Sequence, residues 1–153
     1  MGSRHTVNHG DVIVTSSGRL QQTHNVKAIL HAAVVTGAPG RGFQAISDDL
    51  LIEATRNVLA KARQLAREET QSIRSRSLMM PLFGTGQGQL SPVKITERLL
   101  QEIIQDLAYH SKKLKKSDLT TVIFSVFTKE HVSLIHRLME QNANESLLKI
   151  TSQ

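Results

Sequence analysis

Apolar residues in this chain fall into two kinds of run. Short, nearly continuous runs have strand length: residues 11–15 around Val-Ile-Val, 26–34, 78–83 and 121–127. Longer stretches repeat apolar positions every three or four residues, which gives a helix one buried face. Leu51, Ala54, Val58, Ala62 and Leu65 line the first helix. Ile95, Leu99, Ile103 and Leu107 line the second, widened by Leu100 and Ile104, and Val132, Ile135, Leu138 and Met139 line the third. Start signals agree. Ser47 or Asp48 can cap the first helix and Thr128 the third. Ser91 caps the second, with Pro92 in its first turn, where a missing N–H costs nothing.

The order is strand, strand, helix, strand, helix, strand, helix. Strands alternating with long helices imply parallel pairing through right-handed crossovers. Nearly continuous apolar strands are expected where helices cover both faces of a sheet. The expected fold is therefore α/β, a three-layer α/β/α sandwich around a mostly parallel sheet. One domain spans residues 10–141, with a loosely held N-terminus, 1–9, and a polar tail, 142–153. Parallel strands place their C-terminal ends on one edge, where open α/β sheets bind ligands. A glycine-rich loop, residues 36–42, follows the second strand. A second, Gly84-Thr85-Gly86-Gln87-Gly88, follows the third, and Phe127-Thr128 follows the last.

The second loop carries the chemistry. Its glycines permit positive φ and close backbone approach. Successive N–H groups in such a turn can converge on phosphate oxygens, and the helix that follows can add its positive dipole end. A phosphate cradle beside an aromatic platform suits a nucleotide.

Composition narrows the classes. Hydrophobic residues at 39% and charged residues at 21% fit a folded chain rather than a disordered one. Aromatics at 3% leave few platforms for reading nucleic acid by stacking. The absence of cysteine excludes disulfides and thiolate metal sites and leaves the redox compartment open. No apolar run reaches the roughly 20 residues of a membrane helix. The net charge of +6 favours an anionic partner at a basic surface. Arg56, Arg63 and Arg67 lie off the first helical stripe and read as a solvated face, and Lys112–Lys116 reads as a solvated connector. His31, alone in an apolar strand, reads as a satisfied core histidine. The seven histidines show no metal-ligand spacing, and neither a Gly-x-Ser-x-Gly elbow nor a P-loop is present.

These residues resemble the C-terminal two-thirds of a macro domain. Gly10-Asp11-Val12-Ile13-Val14-Thr15, Leu20 and Val26–Ala32 are similar to that family's strand, turn and strand ending in Val-Ile-His. Pro81–Gly88 resembles its second binding loop, and Val126-Phe127-Thr128 its last strand. The resemblance runs over roughly residues 10–140 and implies a macro-like, N-terminally shortened fold. It implies ADP-ribose or a related nucleotide as ligand. Gly84, Thr85, Gly86, Gln87 and Gly88 would contact phosphate through backbone N–H groups. Phe127 would lie against adenine or its ribose, with Thr128 beside it. The family's first strands, its adenine-reading aspartate and its Asn-Ala-Ala-Asn loop have no counterpart, and Asp11 precedes a different strand, so it is not given the adenine role.

The leading expectation is a binding module for ADP-ribose or an ADP-ribosylated protein, with no cofactor and no catalytic residue assigned. An upstream segment or a partner chain would complete the pocket. An interaction domain without ligand is one alternative. An ADP-ribosyl hydrolase is another, but hydrolysis needs a positioned water or base, and the loop that would supply it is missing.

Overall fold

In the computed structural model the described residues are 7–38, 42–68, 76–84, 92–113, 119–126 and 128–141. In order they form β1 (Val12–Ser16), α1 (Leu20–His24), β2 (Ala28–Ala32), β3 (Val35–Ala38), β4 (Gly42–Ala45), α2 (Asp48–Glu68), β5 (Ser77–Pro81), α3 (Pro92–Lys113), β6 (Thr121–Ser125) and α4 (Lys129–Gln141). The class is α/β, as the alternation of runs predicts.

The strands pair two by two. β5 and β6 are parallel, with Leu78 opposite Val122 and Met80 opposite Phe124, and α3 is their crossover. β1 and β2 are antiparallel, with Val12 opposite Ala32. The turn between them holds α1, and Asn25 closes it in the left-handed region at φ 55°. Ser17 adds a hydroxyl donated to the Val26 carbonyl. β3 and β4 form an antiparallel hairpin, with Thr36 opposite Gln44 and Ala38 opposite Gly42. That corrects the reading of residues 36–42 as a loop at 36–38 and 42, while 39–41 lie outside the described residues. A glycine-rich sequence hides a short hairpin because glycine leaves no apolar alternation to read.

Alternation along β5 shows where the core lies. Leu78 and Met80 are buried, while Met79 is 67% exposed. The buried side meets Val58 and Leu59 of α2 and Ile103 of α3, together with Val12 and Leu30 from the first pair of strands. Phe124 on the same face joins Leu100 of α3 and Leu134 and Leu138 of α4. All three long helices therefore share one face of the β5/β6 pair. On its other face Met79 and its register partner Ile123 are exposed.

The helical stripes fall largely where the period places them. Leu51, Ala54 and Val58 of α2 are buried, as are Ile95, Leu99 and Ile103 of α3. Ser47 is the cap of α2: its hydroxyl accepts the Leu50 N–H at 3.4 Å and its carbonyl the Leu51 N–H at 3.0 Å. On α4 the stripe is rotated. Leu134 is buried with Ile135 and Leu138, while Val132 is 40% exposed.

Two polar expectations are overturned. Of the arginines expected on a solvated face, Arg56 is 61% exposed, as expected, and only Arg63 is buried; both link α2 to α3. Arg56 donates two hydrogen bonds of 2.7 Å to Glu102, and Arg63 is buried and ion-paired to Asp106. Arg98 adds a third link, to Asp49 at 2.6 Å. The partners advance together, 49–56–63 against 98–102–106, so the two helices run parallel. His31 is exposed rather than in the core, because β2 turns position 31 away from α2. Its Nε2 lies 3.0 Å from the Thr15 hydroxyl.

Candidate functional site

β5 and β6 are parallel and in register to their last residues, Pro81 opposite Ser125. The segments that follow them therefore leave from the same end. After β5, Leu82 is buried and Phe83 packs into two core clusters. Gly84 then turns the chain at φ 78°, a conformation that L side chains adopt only with strain. Thr85, Gly86, Gln87, Gly88 and Phe127 lie outside the described residues.

Thr128 is described, and its hydrogen bonds are local. Its hydroxyl oxygen accepts the His131 N–H at 3.2 Å, and its carbonyl accepts the Val132 N–H at 3.2 Å, which caps α4. The Glu130 carboxylate is held below the usual glutamate range by its own backbone N–H and then by the Thr128 hydroxyl. The first turn of α4 thus already carries an anion, and Thr128 spends its side chain on the cap.

The neighbouring strand ends gather at the same rim. Val34 just beyond β2, Ile46 just beyond β4 and Phe83 just beyond β5 share a cluster with Leu51 and Ile52 of α2 and Ile95 and Leu99 of α3. The first turns of two helices and the C-terminal ends of three strands therefore meet there, and the β3/β4 hairpin rises from this edge. Asp11 plays a structural part: its carboxylate accepts the Asn8 N–H at 2.8 Å, and Gly10 beside it, at φ 84°, receives the Asn57 amide on its carbonyl at 3.0 Å.

A cavity of about 740 Å³ lies between β2 and β5 and reaches Phe83. Its walls are mostly apolar, and among the described residues His24 and Lys27 are its only ionisable lining residues. Neither Gly84 nor Thr128 lines it. Sequence reasoning did not find this cavity, since it lies between strands of two ladders that are separate among the described residues. Among the described residues no group of three His, Asp or Glu side chains is placed to hold a metal ion, and no helix is long and apolar enough to cross a membrane.

The arrangement has solved counterparts. Two variants of the Oceanobacillus iheyensis macrodomain, the first of them with ADPR, superpose on this chain with TM-scores of 0.62 and 0.61. Each is 20% identical to it and covers 91% of it. The chain in turn spans 63% and 62% of their lengths, so more than a third of each has no counterpart here. No curated protein matches the chain. The model of the macro domain family matches residues 2–99, well over half of the sequence, and the protein belongs to that family.

Proposed function

We propose that the protein is a binding module for ADP-ribose or a related nucleotide diphosphate. The phosphates are held by backbone N–H groups of Gly84, Thr85, Gly86, Gln87 and Gly88, and the nucleoside lies beside Phe127 and Thr128. The observation that carries this reading is the glycine turn itself: Gly84, at φ 78°, directly after a buried strand whose end coincides with that of the strand leading to Thr128. Strand C-ends are where α/β sheets take ligands. Membership of the macro domain family and the presence of ADPR with one of the solved macrodomains support the choice of ligand. Because Glu130 occupies the first turn of α4, the glycine loop and not that helix receives the phosphates. An ADP-ribosylated protein is the macromolecular form of the same ligand, and the net charge of +6 favours such anions. A segment outside this chain completes the pocket, upstream or from a partner, which makes binding of the free nucleotide weak.

Titration calorimetry with ADP-ribose tests the proposal. Heat is expected from the wild type and none from Gly86→Glu, whose carboxylate would clash with the ligand and repel its phosphates. A wild type that gives neither heat nor a nucleotide-dependent melting shift overturns it, and the reading of an interaction domain without ligand then stands.

A further inference from the structure

Three carboxylates lie in the first turn of a long helix, Asp48 and Asp49 on α2 and Glu130 on α4. They are not used alike. Asp48 and Asp49 are both ion-paired to Arg98, at 3.5 and 2.6 Å. Glu130 is exposed, and among the described residues no arginine or lysine is paired with it. Its bonds are to its own backbone N–H and to the Thr128 hydroxyl, and they hold the carboxyl below the usual glutamate range, so it is charged at neutral pH. An ionised carboxylate has about four acceptor sites, and these two donors leave the others to solvent. Lys129, the neighbouring cation, lies roughly 100° round the helix and does not share that direction. His131 is the smallest of the influences on the carboxyl. One hydrogen bond thus separates a fixed negative charge from Thr128, the residue that follows Phe127 beyond the end of β6.

We infer that Glu130 is a specificity residue: its carboxylate admits an adenosine ribose whose hydroxyls are free and turns away one that carries a 2′-phosphate. The inference rests on the placement of the nucleoside beside Phe127 and Thr128. A ribose hydroxyl donates, and a carboxylate only accepts, so the two are matched. A phosphate monoester brings a charge of about −1.5 to −2 and acceptor oxygens alone, which sets two anions against each other. The expected order runs against the charge of the whole protein. A net charge of +6 attracts the more anionic ligand, so without a local repulsion the 2′-phosphate form would bind more tightly.

The test compares ADP-ribose with ADP-ribose carrying a 2′-phosphate on its adenosine ribose, by titration calorimetry on the full chain at low and at raised salt. The wild type is expected to bind the unphosphorylated form about tenfold more tightly, the order of repulsion between charges a few ångströms apart near solvent. Raised salt should narrow that preference, since the charges are exposed. Glu130→Gln keeps the shape and removes the charge, and it is expected to lose the preference. Glu130→Asp keeps the charge and should retain it, and melting curves show that both variants fold. Equal or tighter binding of the 2′-phosphate form by the wild type overturns the inference, and so does a preference that survives Glu130→Gln unchanged. A wild type that binds neither form is a different result: it removes the nucleotide reading itself, and this inference with it.

Discussion

Removing the Asp106 carboxylate should destabilise the fold by about 3 kcal/mol, the low end of the cost of breaking a buried ion pair from one side. The Arg63 side chain is 5% exposed and that of Asp106 20%. The Arg63 Nε and Nη1 atoms are buried without a hydrogen-bond partner, so the Asp106 carboxylate is what compensates the guanidinium. In Asp106→Ala a full charge stays buried with nothing opposite it. His110 cannot take over, because its Nδ1 donates to the Asp106 carbonyl at 2.8 Å and offers no negative charge. The partial exposure of Asp106 lets water reach the vacated space, which is why the low end applies. Against a typical total of about 5–15 kcal/mol that loss is large, and it should lower Tm by about 6–12 °C at this chain length. Urea unfolding followed by circular dichroism measures it, with an unchanged m-value marking a pure stability effect. Arg56→Ala is the contrast. Its pair also has good geometry, but the Arg56 side chain is 61% exposed, so about 0.5–1 kcal/mol is expected. The double variant Arg63→Met with Asp106→Leu should recover most of the loss, since apolar replacement of a buried pair is close to neutral. An Asp106→Ala protein within about 0.5 kcal/mol of wild type would refute the reasoning, because the guanidinium would then be reaching solvent.

Two further outcomes test the ligand rim. Thr128→Ala should cost about 1 kcal/mol in urea unfolding through the lost cap of α4. It should also raise the Glu130 carboxyl toward its ordinary value in an NMR titration, since the Thr128 hydroxyl is one of the two bonds that lower it. The lowered folded-state value means that the contribution of Glu130 is present above the unfolded glutamate pKa and disappears as pH falls through the folded one. The variant should therefore differ less from wild type in acid than at neutral pH, and a gap that widens in acid would contradict the assignment. Gly84→Ala should lose about 1 kcal/mol: roughly 1–2 kcal/mol of left-handed strain, partly offset by the smaller entropy of the unfolded alanine chain. An alanine variant more stable than wild type would mean that the turn does not need its positive φ.

The legible part of this fold is the part written in apolar period. Leu51, Ala54 and Val58, then Ile95, Leu99 and Ile103, are buried as their spacing demands. β1, β5 and β6 lie within two residues of the runs that mark them. Legibility failed where a position is decided by a distant partner. Arg63 looks like any arginine beside a helical stripe until α3 brings Asp106 against it. His31 sits in an apolar run, but register with β1 sets it beside Thr15 on the exposed face. The hairpin at 35–45 was masked by its glycines. At the rim the glycine loop announced itself by composition. That Thr128 would spend its hydroxyl on a cap did not, because the same residue type serves both uses.

The misread Arg63 belongs to a wider arrangement of α2, α3 and the strands. The three strand pairs are separate ladders among the described residues, so backbone pairing does not hold them in place. α2 does part of that work: Val58 and Leu59 share a cluster with Val12 and Leu30 from one ladder and with Leu78 and Met80 from another. Apolar contact alone tolerates sliding, whereas charge pairs do not. The links from Asp49, Arg56 and Arg63 to Arg98, Glu102 and Asp106 all fail together if α2 shifts by a turn, and the shift would leave a buried guanidinium uncompensated. The ion pairs thus fix the register of α2 on α3, and α2 is the floor on which β2 and β5 keep their separation. In a continuous sheet the strand ladder would set that register and the clamp would be redundant. Here, where the ladders among the described residues are two-stranded, the clamp is what sets it.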